Sequence, residues 1–154
     1  MTTKERVKLK LSIITIFGMA MGWLEAVTVI YIRKVLSAEK VIDLTKVVIE
    51  QANLTVIRLE QTREATTLIM LVTLSLVAGR TFRERLGIFL WVFAIWDIFY
   101  YLVLKLLINW PPSLTTIDCL FLIPVPWIAP VYVPIMLSVM MLIISVILWR
   151  KKSV

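Results

Sequence analysis

Residues 86–108 read LGIFLWVFAIWDIFYYLVLKLLI, from Leu86 to Ile108, and their reading decides the fold. The run is apolar enough and long enough to cross a bilayer as a helix, which takes about 20 residues. Asp97 stands near its middle, and a carboxylate there costs several kcal/mol (roughly 3 on insertion scales) unless it is paired, hydrated, protonated or bound to a cation. Asp97, Tyr101 and Lys105 recur at i, i+4 and i+8, with Tyr100 beside them. One face of this helix therefore carries a polar stripe from mid-membrane to its outer edge.

Working outward, three further apolar runs of similar kind surround this one. The 154 residues are 60% hydrophobic with a mean hydropathy of +0.93, which leaves almost nothing for a soluble domain. The chain reads as an all-α integral membrane protein. Four transmembrane helices, over about 12–32, 62–79, 86–108 and 128–149, form one small bundle, and residues 1–154 make a single membrane domain. The first run follows a basic start but is longer than the apolar core of a signal peptide, so it reads as an uncleaved anchor.

Ten of the 17 basic residues sit in three clusters: Lys4, Arg6, Lys8 and Lys10; Arg80, Arg83 and Arg85; Arg150, Lys151 and Lys152. The positive-inside rule then predicts integration in the cytoplasmic membrane, or an equivalent one, with both termini and the middle loop cytoplasmic. The net charge of +7 is an orientation signal that also favours contact with the lipid bilayer's anionic headgroups, and it does not argue for nucleic acid.

Gly18 and Gly22 in the first run are spaced to let a neighbouring helix approach, and Glu25 follows on nearly the same face, against protein rather than lipid. Between Arg33 and Glu64 the chain is mixed in charge and lacks glycine and proline, which predicts an amphipathic outer segment over residues 35–61. All six prolines fall between Pro111 and Pro134. Leu114 to Ile123 is too short to cross, so a re-entrant or interfacial helix capped by Ser113 is expected in this Pro-rich loop between helices 3 and 4. Met136, Met140 and Met141 read as deformable packing.

At ~1.5 Å rise per residue, Glu25 stands ~20 Å above the start of its helix, Asp97 ~16 Å, and Glu64 and Tyr101 ~22 Å each. Glu25, Glu64, Asp97, Tyr100 and Tyr101 thus converge on one level and predict an acidic intramembrane site for a proton or a cation. Arg63, Lys105 and Asp118 are expected at its mouth or as counter-charges. Carboxylates crowded together cannot all stay ionised without a proton, a basic partner or a bound cation. Glu25, Glu64 and Asp97 are candidate oxygen ligands for a divalent metal. No histidine exists, which excludes His-ligated haem and the common His-based metal sites, and no cofactor is otherwise implied. The single Cys119 cannot form an internal disulfide.

Three functions are open to such a chain. The first is binding or transfer of a proton or cation, with oligomerisation expected because one small bundle has few helices for a carrier. The second is an accessory or anchoring subunit of a larger membrane complex, docked on a protein partner through residues 35–61. The third is a membrane enzyme acting on a lipid or quinone through carboxylate and tyrosine chemistry. Ser-His pairs, glycine-rich phosphate loops and cysteine ligand motifs are absent from the sequence.

Overall fold

The computed structural model describes residues 3–35 and 54–150, and within them the chain is mostly helical. The elements are α1 (Thr3–Val35), α2 (Leu54–Ala78), α3 (Phe82–Ile108), β1 (Ile117–Phe121), β2 (Trp127–Pro130) and α4 (Tyr132–Arg150). Among the described residues, three helical stretches are long and apolar enough to cross a membrane: Lys8–Lys34, Phe82–Ile108 and Tyr132–Trp149. α2 is outside that group. Its first half carries Arg58, Glu60, Arg63, Glu64 and several threonines, which dilute the apolar stretch ending at Ala78.

α3 is the central element, packed against α1, α2 and α4. Its ends are set by local chemistry. The Thr81 side chain accepts the Glu84 N–H at 3.3 Å as an N-cap, and Asn109 turns into the left-handed region at φ 52° to close the last turn. The first helix extends beyond the expected 12–32 at both ends, because its basic and acidic flanks are good helix formers. There Lys10 reaches Glu84 at the start of α3, at 2.7 Å.

The small residues do what their spacing predicts. A Cβ on Gly22 would come within 2.7 Å of the Trp96 carbonyl oxygen, and one on Gly18 within 3.0 Å of Ile95, so the α1 and α3 backbones are in near contact. α4 joins the opposite side of α3 through two hydroxyls one heptad apart. Ser145 donates to the Gly87 carbonyl and Ser138 to the Asp97 carboxylate, both at 2.7 Å. Gly87 leaves room for the Trp149 indole, 2.6 Å from where a Cβ would lie. Between these helices Ile14, Met21, Leu71, Ile88, Val92 and Trp96 form one buried cluster, and Ala26, Tyr101, Val103, Leu104, Trp110 and Val131 a second. Large apolar side chains such as Ile13, Ile16, Leu24, Met136, Val139 and Ile143 are exposed, the surface that a lipid environment would cover.

The proline-rich connection corrects the expectation of a short helix from Leu114 to Ile123. β1 and β2 pair antiparallel, with Asp118 opposite Ala129, Cys119 opposite Ile128 and Phe121 opposite Trp127, and a bulge between Cys119 and Phe121. β-branched and aromatic residues favour this pleated surface, and Pro124 and Pro126 fall in the turn. The fourth apolar run accordingly starts its helix at Tyr132 rather than at 128, because 127–130 belong to β2. The hairpin runs back along α3, so that Phe121 packs on Phe93 and Trp96 at ring separations of 6.2 and 6.4 Å.

Of the amphipathic segment expected over 35–61, residues 36–53 lie outside the described residues. The remainder, 54–61, forms the first turns of α2, which therefore begins earlier than the expected residue 62.

Candidate functional site

Every described element contributes to one cavity of about 200 Å³. α1 supplies Glu25 and Val29, α2 supplies Glu60, Arg63 and Glu64, and α3 supplies Trp96, Asp97, Tyr100 and Tyr101. The hairpin adds Asp118, Cys119 and Phe121, and α4 adds Ser138 and Met141. The i, i+4 steps from Asp97 to Tyr101 and from Glu60 to Glu64 turn these side chains to one side of their helices.

The acids are held by different groups, and two of them share one. Arg63 binds the Glu25 carboxylate through Nη1 and the Glu60 carboxylate through Nη2 and Nε, the last at 2.9 Å. One guanidinium thus serves two half-buried acids. Glu64 accepts the Leu122 backbone N–H at 2.9 Å, while Gln61, three residues earlier, donates to the Leu122 carbonyl at 3.2 Å. Asp97 accepts the Ser138 hydroxyl at 2.7 Å, and Asp118 accepts the Tyr101 hydroxyl at 2.9 Å. The Tyr100 and Tyr101 rings meet edge to face, 4.8 Å apart.

Glu25, Glu64, Asp97, Tyr100 and Tyr101, the five residues expected at the site, all line the cavity. Arg63 lies in the wall as a counter-charge. Asp118 does not sit at a mouth: it is 2% exposed, because β1 carries it inward to Tyr101. Lys105 is absent from the lining. Past Asn109 the chain folds over the end of α3, and Lys105 donates to the Pro111 carbonyl at 3.0 Å, exposed to the surroundings.

The divalent-metal reading of Glu25, Glu64 and Asp97 finds no matching geometry. Among the described residues no three acids or cysteines gather closely enough to hold an ion. The arginine, the hairpin tip and Ser138 draw the three carboxylates to separate walls.

Glu60 and Ser138 are site residues that the sequence reading left out. Glu60 is signalled by its position one turn before Glu64 on the same face. Ser138 is signalled by Ser145, since two hydroxyls seven residues apart in an otherwise apolar helix mark a seam. Cys119 also lines the cavity. Burial first, and the negative charge of Asp118 second, push its thiol from 9.0 up to about 12, which disfavours the thiolate used in nucleophilic or metal chemistry.

Comparison with known family models, with curated proteins and with solved structures gave no match.

Proposed function

We propose that the chain is a single four-span membrane domain, in which α2 crosses alongside α1, α3 and α4 in one bundle, and that its cavity binds or transfers a proton or a small monovalent cation. In this reading the protein resides in the cytoplasmic membrane with both termini and the Arg80–Arg85 loop on the cytoplasmic side. The observation that carries the functional part is the charge balance of the cavity lining. Among the described residues, the carboxylates of Glu25, Glu60, Glu64 and Asp97 line it with one guanidinium, which Glu25 and Glu60 already engage.

Asp97 is the residue on which exchange depends. The Ser138 hydroxyl that donates to it is neutral, so this bond orients the carboxylate without cancelling its charge. Glu64 has a second duty at the hairpin tip. Aromatic walls from Trp96, Tyr100, Tyr101 and Phe121 suit a cation through their ring faces. The separate placement of the acids favours a monovalent guest over a divalent one, which requires six or more converging oxygens.

The test is flux in proteoliposomes under an imposed ion or pH gradient. Wild-type protein should pass protons or one of the monovalent cations, and Asp97→Asn, with its fold checked by thermal unfolding, should reduce the rate at least tenfold. An unchanged rate in that variant removes Asp97 from the function.

A further inference from the structure

Arg33 ends α1 on the same face as Glu25 and Val29, eight and four residues before it, which sets it ~12 Å along the axis from Glu25. It does not line the acidic cavity. The side chain is only 7% exposed, and Nε, Nη1 and Nη2 are all buried without a hydrogen-bond partner among the described residues. Its Cζ lies 4.2 Å from the centroid of the Trp110 ring, and that ring stacks in turn on Tyr101. Trp110 is 2% exposed, and its Nε1 is likewise buried and unpartnered.

The pair is therefore made of donors alone. A guanidinium has five N–H groups and an indole one, and neither accepts a hydrogen bond. The ring contact supplies no hydrogen-bond acceptor, so the N–H groups that form paired bonds to a planar oxyanion are left without one. The attraction between cation and ring is weaker than the cost of burying an unpaired charge, so the contact with Trp110 does not account for Arg33 by itself.

We propose that Arg33 and the Trp110 Nε1–H form a receptor for an oxyanion, either a carboxylate or a phosphate, bound edge-on to the guanidinium at the C-terminal end of α1. A phosphate of this kind is offered by an anionic lipid headgroup or by a free soluble anion. The site is separate from the acidic cavity and stands whether or not that cavity binds a cation.

Thermal unfolding of the full chain in neutral detergent tests it. The additions are sodium phosphate or sodium acetate against sodium chloride at equal ionic strength, and phosphatidylglycerol against phosphatidylcholine in mixed micelles. The wild type should gain several degrees from phosphatidylglycerol if the source is a lipid, or from phosphate or acetate if it is soluble. Arg33→Met should lose that response and, without added anion, unfold no lower than the wild type, because an unpaired charge has been removed. Trp110→Phe, which keeps a ring but deletes the donor, should need a several-fold higher anion concentration for the same gain. If Arg33→Met does not fold, Arg33→Lys should show a response weakened about tenfold. A wild type indifferent to all of these anions, or an Arg33 variant that responds as the wild type does, overturns the proposal.

Discussion

Glu64 accepts the backbone N–H of Leu122 at 2.9 Å, and one turn of α2 thereby anchors the tip of the β1–β2 hairpin from the side. Gln61 completes the anchor at the Leu122 carbonyl, so both polar groups of a buried backbone unit are satisfied away from any ladder. Buried irregular backbone persists only where protein or water supplies such partners. Removing the acceptor should therefore cost about 1–3 kcal/mol, the penalty for an orphaned buried donor. Glu64→Ala is expected to lower the unfolding temperature in detergent accordingly, while Glu64→Gln, whose amide oxygen can still accept, should recover most of it.

Arg63 is the common partner of Glu25 and Glu60, and its loss leaves two half-buried carboxylates uncompensated. Arg63→Met should destabilise the protein by roughly 3 kcal/mol, in the range found when one member of a buried pair is removed. Adding Glu25→Gln to that variant should restore part of the loss. A double-mutant cycle read by thermal or denaturant unfolding should give a clear coupling energy, and simple additivity would mean that the two side chains do not interact.

Much of this arrangement was legible in the sequence. The apolar runs, the Gly18 and Gly22 spacing, and the shared height of Glu25, Glu64, Asp97 and Tyr101 all follow from helical rise and periodicity, and all five expected site residues line one cavity. The hairpin was not legible, because a short apolar run such as Leu114 to Ile123 has the same composition in a buried strand as in a helix. The inward position of Asp118 is illegible for the same reason: only strand geometry carries it back to Tyr101. An ideal helix projects Lys105 outward, and the left-handed turn at Asn109, which brings the Pro111 carbonyl over it, is not readable from i+8 spacing.

Close approach of α1 and α3 should make Gly22 intolerant of any side chain. The obstacle to a Cβ there is the Trp96 carbonyl oxygen at 2.7 Å and the Tyr100 nitrogen at 3.0 Å, backbone atoms that cannot swing away. Gly22→Ala should cost about 1–3 kcal/mol through the forced separation of the helices. At Gly18 the nearest atom belongs to the Ile95 side chain, at 3.0 Å, so Gly18→Ala should cost less. Parallel unfolding measurements on the two variants check the order.

Cys119 should resist alkylation. With its thiol pushed to about 12, it holds roughly a thousandth of the thiolate of a cysteine at the ordinary value near neutral pH. Because the group is charged only above its pKa, labelling by a small maleimide in detergent should rise about tenfold per pH unit from pH 8 to 10 without levelling off. A cysteine introduced at exposed Ser113 should react far faster and begin to level off once the pH passes about 9.

The most direct test of the cavity is whether a cation displaces a proton from it. Unbuffered, detergent-solubilised protein is titrated with potassium, sodium or tetramethylammonium chloride while proton release is followed potentiometrically, with Asp97→Asn measured in parallel. Saturable release from the wild type, approaching one proton per chain for at least one of these cations and absent in Asp97→Asn, is the expected result. Release that is absent from the wild type for all three, or identical in the variant, would contradict a cation site built on Asp97.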